Sequence, residues 1–439
     1  VAIIPWGLAI EDFLAPNGLT LEDFCTEFTG SWVFGYARAL RSAGIRPVLL
    51  VFTARPGPPR QVVHTATATD LSLIAVPPVY RALRARMRNP YGRGTGDVFP
   101  GGAGAARPLR AAARELAPYL ATPVHAAARE LRRRGCDTVL CQEYEFPRFD
   151  VLVAAGRAHG FRVFGVFQGG DYQRWRLERP VRPRAIGAAA GLVVAAEAER
   201  ERLSETYPLP PVAAIPNPVD LATWRPGDRA AARSALGIDP RASVVAWHGR
   251  IDITKKGLDV LLDAWLELSR RRQDAVLLLI GTGRGAAALR AAIRGARPAE
   301  PVWVDRYVHD PAEIARMLAA ADVYVFPSRH EGFPVAPLEA MGCGLPVVAS
   351  AASGIRDLLT ATPEEHGGVI VPREDPGALA GALDALLGEP DRRRKLGGRA
   401  RARAEQFGHE AVGRRLRAFL MAPAPPAPDT PNPVPTRVQ

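Results

Sequence analysis

The sequence is poor in the groups that metal sites and disulfide frameworks need. Its four cysteines, Cys25, Cys136, Cys141 and Cys343, form no C-x-x-C pair, and its eight histidines are scattered without an H-E-x-x-H. Neither a metal site nor a disulfide framework is expected, and this usage fits a reducing cytoplasm. No run of about 18 apolar residues occurs, so no segment reads as a membrane span. The opening VAIIPWGLAI lacks a basic n-region and a small-residue cleavage site, so it reads as a buried strand, not a signal peptide. G-x-x-x-x-G-K-[ST] is absent, as is a full G-x-G-x-x-G with its later acidic residue, which argues against ATP hydrolysis and NAD binding. Lysine is nearly missing. Of 57 basic residues only Lys255, Lys256 and Lys395 are lysine. Two adjacent lysines in an arginine-rich chain hint at a site that needs a compact charge on a flexible stem, with chance as the alternative.

What is present is a globular α/β pattern. The chain has 439 residues, 47% of them hydrophobic, enough for two or three domains with cores of their own. Short apolar runs alternate with helix-like stretches. They are AIIP (2–5), PVLLVF (47–52), DTVLC (137–141), RVFGVF (162–167), GLVVAA (191–196) and VAAIP (212–216), then SVVAWHG (243–249), AVLLLIG (275–281), VWV (302–304), DVYVFP (322–327), PVVAS (346–350) and GVIVP (368–372). Such runs imply parallel sheets covered on both faces. The series breaks once, at the proline-rich stretch 215–232, which reads as a linker between two Rossmann-like domains. Ligands of such folds bind beyond the carboxyl ends of the strands, in the cleft between the domains. Residues 89–108 are rich in glycine and proline and read as a surface loop, and 422–439, with seven prolines, as a disordered tail.

The densest motif is SRHEGFPVAPLEAM (328–341), directly after DVYVFP. Gly332 permits a sharp turn and Pro337 suits a first helical turn, so backbone N–H groups around Phe333 to Ala336 sit at a helix N-terminus, a ready site for a diphosphate. Glu331 and Glu339 would lie ~12 Å apart if the stretch were wholly helical, beyond the roughly 5–9.5 Å of a glycosidase acid/base pair. They suit two parts of one extended ligand, or are two solvated glutamates. In GRIDITKKGLD (249–259), Arg250 and Lys256 can converge on one phosphate pair, or form a solvated basic turn. GTGRG (281–285) is as consistent with a strand-to-helix turn as with a ligand contact. Thr29-Gly30-Ser31-Trp32 opens a helix after a long segment (6–28), as a ligand approach or as a simple cap. Gln168-Gly169-Gly170-Asp171 follows RVFGVF at a cleft-facing position. The basic runs 81–93, 132–134 and 392–403 could meet an anionic membrane or acceptor, though solvated helix faces explain them more simply, and no nucleic-acid motif accompanies them.

Together these motifs resemble the group 1 glycosyltransferases, a retaining family with the GT-B double-Rossmann fold. The order IPNPVD, GRIDITKKGLDVLLDAW, LLLIGTG, ADVYVFPSRHEGFPVAPLEAMGCGLPVVAS, GGVIVP carries the resemblance from about residue 190 to 390; the first half matches weakly. It implies an acceptor domain (1–216), a donor domain (217–404) and a C-terminal helix (405–421) returning to the first domain. It further implies a hexosyltransferase using a nucleotide-diphosphate sugar, with no cofactor. Arg250 and Lys256 would hold the diphosphate and Glu331 the sugar hydroxyls, these three being the catalytic candidates. Backbone groups from Gly332, Phe333, Pro334 and Val335, with Gly249 and Gly283, would complete the donor site. Glu339 would hold the ribose, Tyr307 and Val308 would border the base, and Gly30 and Ser31 would close from the first domain. Gln168, Gly169 and Asp171 are candidate contacts to acceptor or sugar.

Two departures stand out. Gln168 replaces the family's usual histidine; it can hydrogen-bond but cannot exchange a proton near neutral pH. Asn217-Pro218 replaces the usual Asn-Gly. With no D-x-D and no obvious enzymic nucleophile, a metal-independent front-face reaction is expected. A non-catalytic sugar-nucleotide-binding subunit and a GT-B epimerase or phosphorylase are the competing readings. The acidic segment (Glu11, Asp12, Glu22, Asp23, Glu27) could suit a cationic acceptor. The arginine-rich first domain could suit an anionic lipid and a peripheral place on a membrane.

Overall fold

The computed structural model describes residues 1–92, 95–100, 107–167, 169, 176–294, 300–360 and 366–423, apart from the side chains of Asn17, Ser31, Trp32 and Arg107. The tail from 424 onward lies outside the described residues. The first sheet is built from β1 (Ala2–Ile4), β2 (Val48–Thr53), β3 (Arg60–Val63), β4 (Asp70–Ala75), β5 (Thr138–Gln142), β6 (Arg162–Val166), β7 (Gly191–Val194) and β8 (Val212–Ala214). The second is built from β9 (Ser243–His248), β10 (Ala275–Ile280), β11 (Val302–Val304), β12 (Val323–Phe326), β13 (Val347–Ser350) and β14 (Gly368–Val371). Their orders are β3-β4-β2-β1-β5-β6-β7-β8 and β11-β10-β9-β12-β13-β14. Every pairing is parallel except β3 with β4.

The apolar runs are continuous because each sheet buries both faces. Along β2, Val48, Leu50 and Phe52 enter one core while Leu49 and Val51 enter the core on the opposite face. Along β9, Val244 and Ala246 pack on one side, and Val245 and Trp247 on the other. This is the alternation a pleated strand imposes, applied between two helical layers.

Two strands were not legible as runs. β3 (RQVV) is an exposed antiparallel edge, and β4 (DLSLIA) is interrupted by Ser72. The stretch 89–108, read above as a loop, contains the short helix Thr95–Val98 and the start of the helix Arg107–Leu120. It is also anchored, since the Tyr91 hydroxyl accepts the Leu8 N–H at 3.0 Å.

Beyond β8 the chain crosses to the second sheet. The crossing is pinned where Arg38 meets Asp220 at 2.5 Å and Tyr36 Oη donates to Asn217 Oδ1 at 2.8 Å. The chain crosses back after the helix Pro390–Glu405. The last helix, His409–Leu420, lies on the first-domain helix Tyr36–Ser42, burying Val412, Leu416 and Leu420 among Ala37 and Leu40. The approach is close enough that a Cβ on Gly413 would lie 2.0 Å from the Ala39 carbonyl oxygen.

Candidate active site

The strand order of the second sheet reverses between β9 and β12. Loops leaving the carboxyl ends of two such strands diverge, and the crevice between them is the usual ligand position of an open α/β sheet. Both basic and acidic motifs leave the sheet there. After β9 the chain forms a single helical turn, Ile253–Lys256, which the Asp252 side chain caps by accepting from Lys255 N at 3.1 Å. Gly257 ends it at φ +63°, and a Cβ there would lie 2.1 Å from the Pro327 carbonyl oxygen beyond β12. Only glycine serves at that junction, and the close approach sets Lys256 against the next loop.

Lys256 Nζ lies 2.7 Å from Glu331 Oε1, with both side chains largely buried. The two residues are held by a third, Arg329, which sequence reasoning did not single out. Its guanidinium donates to both oxygens of Asp259 at 2.8 and 2.7 Å, to the Thr254 carbonyl at 2.7 Å and to Glu374 at 2.7 Å. These bonds to Asp259 and Glu374 push the Arg329 pKa further up and hold the Asp259 carboxyl below its ordinary value. Arg329 N also donates to the Lys255 carbonyl, so side chain and backbone together lace the lysine turn to the glutamate loop.

The Val335–Gly342 helix begins behind Glu331. Pro334 is its N-cap and no side chain caps it, so its first N–H groups are free to donate to an anion. Glu331 therefore lies in the loop, not in the helix, and a wholly helical spacing between the two glutamates does not occur. Phe333 is buried against Phe407, ring centroids 5.8 Å apart, which roots the turn. Glu339, one helical turn further in, meets His248 from the end of β9, with Nε2 2.9 Å from Oε2. The two carboxylates thus have different partners, in keeping with two different tasks.

Arg250 is exposed beside the turn at Gly283. Gly281 and Gly283 are explained by close packing: a Cβ on Gly281 would lie 2.1 Å from the Gly249 carbonyl oxygen, and one on Gly283 2.5 Å from that of Ile251, while Gly249 sits at φ +148°. Tyr307 is 41% exposed beyond β11, its ring edge-on to His309 at 4.8 Å, while Val308 is buried in the core.

The first domain supplies the facing wall. Gly169, at φ +82°, comes so close to the second domain that a Cβ on it would lie 2.7 Å from Gly332 Cα. Its neighbours Gln168 and Asp171 lie outside the described residues. Gly30 precedes a wide helical turn, Ser31–Gly35, that leads into the Tyr36–Ser42 helix. The first sheet reverses between β1 and β5. Beyond β5 lies Glu143, also missed from sequence, buried in the left-handed region at φ +71°.

The acidic segment beyond β1 is less open to a cationic ligand than its composition suggests. Glu11 accepts from Thr53 Oγ1 and from Ala54 N, and buried Asp12 pairs with Arg84 and accepts the Ala9 N–H. Asp23 completes a capping box with Thr20. Only Glu22 and Glu27 remain exposed. The basic runs are similarly engaged: Arg133 and Arg134 with Glu130, Arg393 with Asp322, and Arg401 and Arg403 on backbone carbonyls. No helix among the described residues is long and apolar enough to cross a membrane.

Comparison with known proteins agrees with this layout. Residues 30–223 match the family described as Glycosyltransferase Family 4, and residues 242–389 that described as Glycosyl transferases group 1. The D-inositol 3-phosphate glycosyltransferase of Segniliparus rotundus is 35% identical over 254 residues, covering 56% of this chain and 55% of the relative. That of Kineococcus radiotolerans is 37% identical over 252 residues, covering 52% and 56%. The chain thus spans a little over half the length of these curated relatives. Among solved structures, sucrose-phosphate synthase from Thermosynechococcus elongatus superposes with a TM-score of 0.68 at 20% identity over 94% of this chain and 96% of that one. Anabaena HepE in complex with UDP gives 0.66 at 15% identity over 95% and 98%. At these identities the likeness is one of fold, the two-domain GT-B arrangement.

Proposed function

The chain belongs to the group 1 glycosyltransferases, and on that premise we propose that it moves a hexose-type sugar from a nucleotide-diphosphate donor to an acceptor hydroxyl with retention of configuration. The observation that carries the reading is the Lys256–Glu331 pair beside the uncapped Val335–Gly342 helix, with Gly169 of the facing domain against Gly332. Here each charge neutralises the other. A donor diphosphate would draw Lys256, Arg250 and the helix N–H groups to its oxygens, releasing Glu331 to the sugar hydroxyls. Glu339 would take the ribose, Tyr307 and Val308 the base edge, and Gly30 and Ser31 would close on the phosphates.

Negative charge grows on the departing diphosphate as the glycosidic bond breaks, and these groups stabilise it without a metal. The acceptor hydroxyl attacks from the leaving-group face, and the departing phosphate takes its proton. Closure at Gly169 and Gly332 would keep water from the donor. The acceptor lies on the first domain, near Gln168, Gly169, Asp171 and the end of β5. D-inositol 3-phosphate, after which these relatives are named, is the first acceptor to try. Peripheral membrane contact through remaining arginines of the first domain belongs to the same reading.

The test is nucleoside-diphosphate release from a panel of nucleotide sugars, with and without acceptors. Glu331→Ala and Lys256→Ala are each expected to lower kcat/KM about 100-fold or more. Transfer at the wild-type rate by both variants would overturn the site assignment. Donor binding without turnover on every acceptor would favour a non-catalytic subunit instead.

A further inference from the structure

His248 closes β9 at the floor of the donor crevice, and family resemblance assigns it no task. Its imidazole is 5% exposed, stacked on Trp224 at 5.9 Å and 26° and edge-on to Tyr324 at 5.4 Å. The Tyr324 hydroxyl donates to the His248 carbonyl at 3.3 Å, fixing the backbone as well. Nδ1 is buried and has no hydrogen-bond partner among the described residues, whereas Nε2 sits 2.9 Å from Glu339 Oε2. A carboxylate only accepts, so Nε2 must carry the hydrogen. A phenylalanine would fill this aromatic slot without burying an unmatched nitrogen, a burial that costs stability. The ring's one polar contact among the described residues is with Glu339.

We infer that His248 is a positioning residue that holds Glu339 toward the donor ribose, so that the site selects ribonucleoside over 2′-deoxyribonucleoside diphosphates. The inference rests on the donor-site reading above. One Glu339 oxygen is tied to the imidazole. The other makes no hydrogen bond to a described residue and belongs to a side chain 15% exposed. Tying one oxygen fixes the carboxylate plane, and a fixed plane presents its remaining lone pairs to two adjacent hydroxyls. A freely rotating glutamate would pay rotamer entropy for the same contact. Removing the 2′-hydroxyl removes one of the two contacts that this geometry serves.

The experiment measures binding of UDP, GDP, ADP and CDP to the full chain by calorimetry, then of the 2′-deoxy analogue of the tightest. Wild type is expected to bind the deoxy analogue about tenfold more weakly. His248→Phe keeps the stacked ring and loses the N–H. It is expected to bind the ribonucleotide about tenfold more weakly than wild type and to show almost no preference for ribose. His248→Gln, with an N–H on a flexible stem, is expected to fall between. Should His248→Phe fail to fold, the same comparison on His248→Gln decides, because the ribose preference must weaken. A full ribose preference in either variant overturns the inference, as does an equal loss toward both nucleotides, the mark of a purely structural residue. If no ribonucleoside diphosphate binds wild type, the donor-site reading itself fails and the inference falls with it. If nucleotides bind wild type and both variants alike, the inference alone fails.

Discussion

At and beyond the carboxyl ends of β9 and β12 the polar side chains of the second domain meet partners from other elements: Lys256 with Glu331, His248 with Glu339, Arg329 with Asp259. Beyond β1 in the first domain the polar side chains are used to hold the long segment itself: Glu11 on Thr53, Asp12 on Arg84, Asp23 on Thr20. Both sheets offer a crevice where strand order reverses. In one, short loops deliver charged groups to the crevice. In the other, a long connection must first satisfy its own backbone and charges, because buried polar groups without partners are costly. Composition therefore points to the proposed donor site in the second domain and mostly to architecture in the first.

The contrast is sharpened most by Arg329. If the donor crevice depends on loops laced together, Arg329→Ala should lower kcat/KM by roughly tenfold to 100-fold, although Arg329 itself need not touch the donor. Arg329→Lys keeps the charge but not the planar fork on Asp259, and should recover only part of the loss. The matching first-domain change, Glu22→Gln with Glu27→Gln, should leave kcat/KM within about twofold, since surface changes of this kind are usually near neutral. Steady-state kinetics on these variants decides the matter. An Arg329→Ala enzyme as active as wild type would show that the lacing is only structural.

A smaller effect is expected where the two domains touch. Gly169→Ala adds a Cβ at a left-handed backbone position and within 2.7 Å of Gly332 Cα. The domains must then part or the loop must shift, so kcat/KM should fall severalfold, on the order of fivefold, with little change in Tm. Faster donor hydrolysis relative to transfer would accompany the change, because the cleft would admit water. An unchanged ratio would place closure elsewhere.

The second-sheet strands and the family order of motifs were legible because long apolar runs and short glycine-bearing loops leave little freedom. β3 and β4 were not, since an exposed edge strand and one broken by Ser72 carry no continuous run. Glu331, Lys256 and Glu339 could be named from sequence; that Lys256 faces Glu331, 75 residues away in the chain, could not. Arg329 and His248 stood inside or beside quoted motifs, yet their roles depend on partners 70 and 91 residues distant. A polar residue ending an apolar strand at its carboxyl end was the available signal for His248. The burial of the acidic segment was hidden for the same reason, as Arg84 lies 72 residues from Asp12.

The smallest effect falls on stability and separates the domains by pH. His64 is fully buried in the first domain, and burial lowers its pKa from 6.5 to about 4. His409, where the last helix returns to that domain, is lowered to about 4 by burial, against the opposing pull of Asp220 and with the help of Arg38. Between about pH 6.5 and 4 the unfolded chain binds protons at these rings and the folded chain does not, so stability is full above pH 6.5 and falls as pH drops toward 4. At pH 5 the ceiling is about 2 kcal/mol for His64, and less for His409, which is only partly buried. Urea melts at pH 7.5 and 5, followed by a probe in each domain, should show the first domain losing more. His64→Gln should flatten part of that slope. A first domain as acid-resistant as the second, or a slope that His64→Gln leaves intact, would mean that neither histidine carries the difference.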